Sequence, residues 1–234
     1  MKKIIHYLFV CLACMAISCE DDTSKDMSKI TYFVNYEILG DETMLLPVGT
    51  PYVEPGVIAM EGETDITSSV VITGSVDASA IGIYDISYSA TNVDGFSSSV
   101  SRTVVVYDPS ITTDISGVYT AAAGTHRLAI ATGATVSYAD YSVTLTSIAP
   151  GVFQVSDFFA GYYEVRAGYG SSYAMRGYIK LNADNSLGLL SSSVAGWGDS
   201  LDRLEDGAYD PVSGTVSWGA VYAGAYSFNV ILTK

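Results

Sequence analysis

Apolar and polar residues alternate along most of this chain, and the alternation has the period of a β-strand. Over residues 82–90, Tyr84, Ile86, Tyr88 and Ala90 fall on one side and Asp85, Ser87 and Ser89 on the other. A period of two marks a strand with one buried face. Further β-rich runs lie at 30–39, 70–73 and 100–107, and Asn92-Val93-Asp94-Gly95 supplies turn chemistry between the last two long strands. Several strands of this length with polar turns predict a β-sandwich over residues 28–107. Beyond it, Gly117-Val118-Tyr119-Thr120 opens another strand. Residues 141–148 and 152–156 flank an Ala149-Pro150-Gly151 turn, and 175–181 and 187–190 flank a turn at 182–186. With strands at 215–218 and 226–233, this order predicts a meandering antiparallel sheet that curls or closes to hide its edges. No 3.6-residue apolar stripe interrupts the pattern outside the first twenty residues. The fold class is all-β.

The N-terminus reads differently. Lys2 and Lys3 precede a mostly apolar run at 4–17, which ends in Ala16-Ile17-Ser18-Cys19. That run is shorter than the ~20 residues needed to span a bilayer as a helix, so residues 1–18 read as a signal peptide. A cysteine directly after small residues resembles a bacterial lipobox, which implies that Cys19 is acylated and becomes the first mature residue. Ala16 stands where such motifs usually carry Leu. Cys14 is a second candidate, and ordinary secretory cleavage without a lipid is the alternative. Residues 19–27 are acidic and polar, as a solvated tether would be. Their acidity resembles the surface-export signal of Bacteroidetes-type lipoproteins, which implies lipid anchoring in the outer membrane, facing the exterior.

Charge and cysteines narrow the chemistry. The chain carries 11 basic and 25 acidic residues, for a net charge of −14. Removing Lys2 and Lys3 with the leader takes this to −16. A chain so acidic repels phosphate backbones, so nucleic acid is not an expected partner, and the lipid must supply the membrane attachment. All three cysteines (Cys11, Cys14, Cys19) lie in the leader or at its cleavage point. No disulfide, Cys–metal site or Cys nucleophile is expected within the domains.

Four blocks in order then resemble the bacterial Ig-like domain of pesticidal crystal proteins and many surface proteins. They are Val48-Gly49-Thr50-Pro51-Tyr52-Val53-Glu54-Pro55-Gly56-Val57, Asp65-Ile66-Thr67, Gly82-Ile83-Tyr84 and Arg102-Thr103-Val104-Val105-Val106. The resemblance implies an Ig-like sandwich used as a spacer or as an adhesive or carbohydrate-associated module. Residues 108–113, with Pro109, read as a linker. Residues 114–234 resemble the lipocalin-like C-terminal domain of Bacteroidetes lipoproteins that also carry an Ig-like domain, although Tyr119 stands where lipocalin-type barrels often have Trp. The whole is expected to be an Ig-like β-sandwich followed by an antiparallel lipocalin-like barrel or curled sheet.

Catalytic chemistry has little to stand on. Outside the leader His126 is the one imidazole, and its surroundings carry no nucleophile elbow. Asp199, Asp202, Glu205 and Asp206 cluster, and Asp157 and Glu164 lie near aromatics. Among 25 acids such clusters arise by chance, and residues 198–207 read as a solvated turn. Asn182-x-Asp184-Asn185 lacks the later acidic ligand of a calcium loop. No catalytic residue, cofactor or metal site is expected.

Aromatic residues make the stronger case. Sugars offer apolar CH faces that stack on Trp and Tyr while polar neighbours bond their hydroxyls. Both tryptophans, Trp197 and Trp218, lie in the second domain. So do Tyr162, Tyr163, Tyr169 and Tyr173, interleaved with glycines in a segment that reads as a flexible rim. Trp197, between Gly196 and Gly198, is the leading candidate, whereas Trp218 sits in a strand where packing inward is the plainer reading. The expected function is a non-catalytic glycan-binding accessory of a surface polysaccharide-uptake system. The alternative is a structural or adhesive protein with a protein partner, such as an outer-membrane transport protein; a glycoside hydrolase stands third.

Overall fold

The computed structural model describes residues 30–234. The expected signal peptide, Cys19 and the tether lie outside the described residues. The first domain is built from β1 (Val34–Ile38), β2 (Thr43–Pro47), β3 (Val57–Glu61), β4 (Thr64–Asp65), β5 (Val71–Thr73), β6 (Gly82–Thr91) and β7 (Ser97–Tyr107). One sheet has the order β1-β3-β4 and the other β2-β7-β6-β5. All pairs are antiparallel except β2 with β7. The alternation in β6 places Ile86, Tyr88 and Ala90 inward, as its sequence requires.

The blocks that resemble the Ig-like family meet at a buried clasp. Arg102 on β7 is fully buried. Its guanidinium donates to the carbonyls of Asp41 (2.9 Å) and Leu39 (2.6 Å) and, through Nε, to the Tyr88 hydroxyl (3.0 Å). Glu54 lies 3.7 Å from Nε and accepts from the Tyr52 and Tyr88 hydroxyls and the Gly56 N–H. Burial alone would raise the Glu54 carboxyl, but these bonds and Arg102 hold it below the usual range. The domain thus ties its two sheets and the Pro51–Gly56 turn together through one arginine.

The run Val104-Val105-Val106 is buried on both faces of β7. Val104 and Val106 face the sandwich core. Val105 faces the second domain and packs with Ala149 and Val152, flanked by Ile83, Ile148 and Leu190. Within the expected linker, Ile111 is buried in the core of the second domain.

That domain comprises β8 (Gly117–Ala121), β9 (His126–Ala129), β10 (Thr135–Ser137), β11 (Ser142–Ala149), β12 (Val152–Val155), β13 (Arg176–Leu181), β14 (Leu187–Ser193), β15 (Arg203–Asp210), β16 (Thr215–Tyr222) and β17 (Tyr226–Thr233). From β8 the sheet runs through β11, β12 and β13 to β14 one way, and through β17 and β16 to β15 the other. The β9–β10 hairpin continues along β17 beyond the end of β8. Opposite β8, the sheet edges meet at a bridge between Ser186 and Ala208 and a bond from Tyr209 N–H to the Asn185 carbonyl (2.9 Å). The antiparallel sheet therefore curls almost into a ring. Its interior is filled by side chains, among them Tyr119, Phe153, Phe158, Phe159, Trp218 and Phe228.

Two expectations are corrected here. The acidic stretch at 198–207 is not wholly a turn, because β15 begins at Arg203. A bulge between Glu205 and Ala208, with Asp206 at φ 50°, breaks the alternation that would have disclosed the strand. Residues 158–173, expected as a flexible rim, form an ordered plug described next.

Candidate functional site

The plug begins at Asp157, a carboxylate only 2% exposed. Its Oδ1 accepts the N–H groups of Phe159 and Met175 (both 2.9 Å), and its Oδ2 that of Gly161 (2.7 Å). The Phe158 N–H donates to the Met175 carbonyl (2.8 Å), closing the base of the loop. Its buried carbonyls are satisfied from the barrel: Trp218 Nε1 donates to Phe158 (3.0 Å) and the Tyr138 hydroxyl to Phe159 (2.8 Å). Buried backbone groups must find partners, and here side chains of distant strands supply them. Burial pushes the Asp157 carboxyl up to about 6, against the pull of its three N–H donors.

Beyond Asp157 the chain turns sharply. Ala160 and Gly161 both have positive φ, and a Cβ at Gly161 would stand 2.6 Å from Tyr141. One π-helical turn, Tyr162–Arg166, follows, with Arg166 N–H bonded to the Gly161 carbonyl (3.0 Å). A 3-10 turn, Ser171–Tyr173, returns the chain to β13. The loop is thus an Ω-type plug with its base fixed and its outer turns carrying tyrosines.

These tyrosines converge on Trp197. Its ring centre lies 4.8 Å from those of Tyr163 and Tyr173, 5.9 Å from Tyr222 and 6.1 Å from Tyr169. The contact with Tyr222 is stacked and the other three are edge-on. Gly196 makes this possible: its N–H reaches the Ser172 carbonyl (2.7 Å), and a Cβ there would meet the Tyr173 ring at 2.6 Å. Trp197 remains 38% exposed and Tyr169 54%. Beside them opens a cleft of about 520 Å³, mainly polar, lined by Ser192, Ser193, Asp199, Ser200, Asp202 and Tyr222. The Tyr222 hydroxyl donates to Asp199 (2.8 Å), and burial followed by that carboxylate raises its pKa.

Of the six expected ligand-contacting rings, the structure gathers Trp197, Tyr163, Tyr169 and Tyr173 at one end of the barrel. Trp218 is corrected: at 3% exposure it is a core residue, with its indole N–H spent on Phe158 and its ring against Phe158 at 5.6 Å. Tyr162 is corrected likewise, since at 5% exposure its ring is packed among Tyr138, Tyr163 and Phe228. Tyr222 belongs to the cluster and was missed. Its signal was legible, because it shares the strand parity of Val216, Trp218 and Ala220 and stands at the open end of β16.

The acidic candidates are structurally engaged. Asp202 accepts the Gly224 N–H (2.7 Å), Glu205 pairs with Arg203 (2.6 Å), and Asp184 accepts the N–H and hydroxyl of Ser186. His126 is bonded through Nδ1 to the Gly124 carbonyl (2.8 Å). Among the described residues no three His, Cys, Asp or Glu side chains gather closely enough to hold a metal ion.

The chain thus joins an Ig-like sandwich to a curled antiparallel barrel-like domain, and its likenesses to known proteins follow that division. Residues 36–106 match the family model of the bacterial surface protein Ig-like domain, and residues 108–234 match a family model described as a C-terminal domain. The chain is 45% identical to the lipoprotein BT2262 from Bacteroides thetaiotaomicron, over 86% of this chain and 100% of that one, with a TM-score of 0.49. On that identity and coverage, the chain belongs to the family of the BT2262 lipoprotein. A structure of CBM51-2 in complex with GlcNAc and INT domains from Clostridium perfringens ZmpB aligns at 22% identity, over 52% of this chain and 29% of that one. Its TM-score of 0.28 does not establish a shared fold. No curated protein matches the chain.

Proposed function

We propose that this protein is a non-catalytic lipoprotein, acylated at Cys19 and displayed on the outer membrane, that captures saccharide on the platform centred on Trp197. It serves there as an accessory to a surface polysaccharide-uptake system. The observation that carries the reading is the placement of Trp197: half-exposed, fixed by four tyrosines and bordered by a polar cleft. A stacking surface beside hydroxyl and carboxylate acceptors is what a sugar ring needs, with one apolar face and polar edges. The test is a glycan-array screen of the purified protein, with any hit titrated against Trp197→Ala. Saturable binding weakened at least tenfold, or about 1.4 kcal/mol, supports the site. Binding that the substitution leaves unchanged removes Trp197 from it.

A second reading has its own observation. Tyr32, Phe33, Val93 and Phe96 are all more than half exposed at the end of the Ig-like domain where the chain enters from the tether, and Phe33 and Phe96 lie 5.7 Å apart. Such a patch fits an outer-membrane transport protein held beside the lipid anchor. Photo-crosslinking from position 33 or 96 in intact cells tests it; a specific adduct absent from position 212, an exposed site elsewhere, favours this reading.

A further inference from the structure

The geometry points to an anionic saccharide, one that carries a carboxylate, as the ligand class of the Trp197 platform, with Arg127 and Arg166 as its charge-reading residues. The inference rests on the saccharide reading above and adds the sign of the ligand's charge. In a chain with 25 acidic residues, basic side chains have many partners to choose from. Arg102 is paired with Glu54 and Arg203 with Glu205. Among the described residues, Arg127 and Arg166 have no carboxylate oxygen within salt-bridge distance. They nevertheless converge on one ring: the guanidinium carbon of Arg127 lies 5.0 Å from the centre of Tyr162, and that of Arg166 lies 5.2 Å from it.

Arg127 is also held 4.6 Å from the Tyr226 ring, and its Nε is buried without a hydrogen-bond partner. Stacking between two rings fixes the guanidinium plane; one of its N–H groups faces the Tyr163 phenol, and Nε is left without a partner. A buried donor left unmade is costly, and a planar carboxylate is the group that takes two parallel N–H bonds from such a fork. Asp157, the buried carboxylate at the base of the plug, is already occupied by backbone N–H groups and forms no ion pair with either arginine.

Arg127 adjoins the platform directly, and Arg166 is joined to it through Tyr162, whose ring stands edge-on to Tyr163. Tyr222 and Tyr226 are paired across the β16–β17 hairpin. Trp197 stacks on Tyr222, and Arg127 lies over Tyr226. Tyr163 closes the circuit, edge-on to Trp197 at 4.8 Å, with Arg127 near enough to oppose the rise that burial imposes on its phenol. Asp199 and Asp202 line the cleft on the Tyr222 side, so the carboxylate of a sugar stacked on Trp197 would be directed to the Tyr163 side, where the guanidinium of Arg127 stands one aromatic ring away.

The test uses the purified full-length protein and a panel of uronate oligosaccharides and sialyl-lactose, each paired with its neutral methyl ester. Titration calorimetry is expected to show the acid form binding at least tenfold more tightly than the ester. That advantage should fall below threefold in Arg127→Gln and in Arg166→Gln, and should shrink with added salt. Arg166 is exposed, so its variant keeps the test informative if Arg127→Gln folds poorly. Equal binding of acid and ester, still sensitive to Trp197→Ala, overturns this inference and leaves the saccharide reading standing. Absence of binding to every member of the panel overturns this inference, and the saccharide reading falls with it only where the glycan array is also blank.

Discussion

Replacing Asp157 probes whether one buried carboxylate organises the whole platform. Asp157→Ala would strand three buried N–H groups, those of Phe159, Gly161 and Met175. At about 1–2 kcal/mol for each unsatisfied donor, the loss is roughly 3–6 kcal/mol. That is a large fraction of the ~5–15 kcal/mol that holds a domain folded. Urea denaturation followed by tryptophan fluorescence measures it. Because the loop carries Tyr163, Tyr169 and Tyr173, any saccharide binding should fall with it. A loss below about 1 kcal/mol would show that water or loop rearrangement satisfies the donors, and would refute the account of the plug.

The pH dependence gives an independent reading of the same group. The folded-state pKa of about 6 lies above the ordinary 3.8. Between those values the folded chain binds more protons than the unfolded one, so stability rises as pH falls. The gain begins as pH drops through about 6 and is complete below the unfolded value; a difference of about 2 in pKa corresponds to on the order of 3 kcal/mol. Glu54, Asp114 and Asp184 have depressed pKa values and act in the opposite direction, below their ordinary values. The interval from pH 7 to 5 therefore isolates Asp157. Asp157→Asn, which cannot titrate, should lack the rise that the native protein shows there; parallel curves would place the carboxyl's pKa in its ordinary range.

Three further outcomes follow from other contacts. Arg102→Leu should destabilise the Ig-like domain by about 3–5 kcal/mol, since it leaves the Glu54 charge without its cation; a differential scanning calorimetry trace with an unmoved transition would contradict the clasp. Trp218→Phe should cost about 1–3 kcal/mol by orphaning the Phe158 carbonyl, read by urea titration, while Trp197→Phe should cost under 1 kcal/mol. Gly196→Ala should displace the Tyr173 ring, whose edge stands 2.6 Å from the added carbon, and so change the near-ultraviolet circular dichroism while leaving the far-ultraviolet spectrum intact.

The contrast between Trp197 and Trp218 shows where local sequence suffices and where it stops. Trp218 shares parity with Val216 and Ala220, all inward on β16, so its burial follows from the two-residue period. The β11–β12 and β13–β14 hairpins were legible for the same reason, with turn residues bracketed by alternating strands. β15 was not, because the bulge at Asp206 shifts register midway through an acid-rich strand. The plug was misread because glycine and tyrosine in alternation look mobile when only chain neighbours are weighed. What fixes it is long-range: Asp157 reaches Met175, 18 residues on, and Trp218 reaches Phe158 across 60. Arg127 was invisible as a site residue on the same ground, and the parity of Tyr222 told its inward face but not its ring partners. Their neighbours Tyr162, Tyr226 and Trp197 come from other turns and strands, and only closure of the sheet brings these rings to one end. Strand positions thus follow from the period, whereas the platform is a property of the barrel's rim, where residues remote in sequence meet. The decisive residues of such a site are those that a local pattern cannot weigh: a buried carboxylate that gathers backbone N–H groups, and a glycine that lets two rings touch.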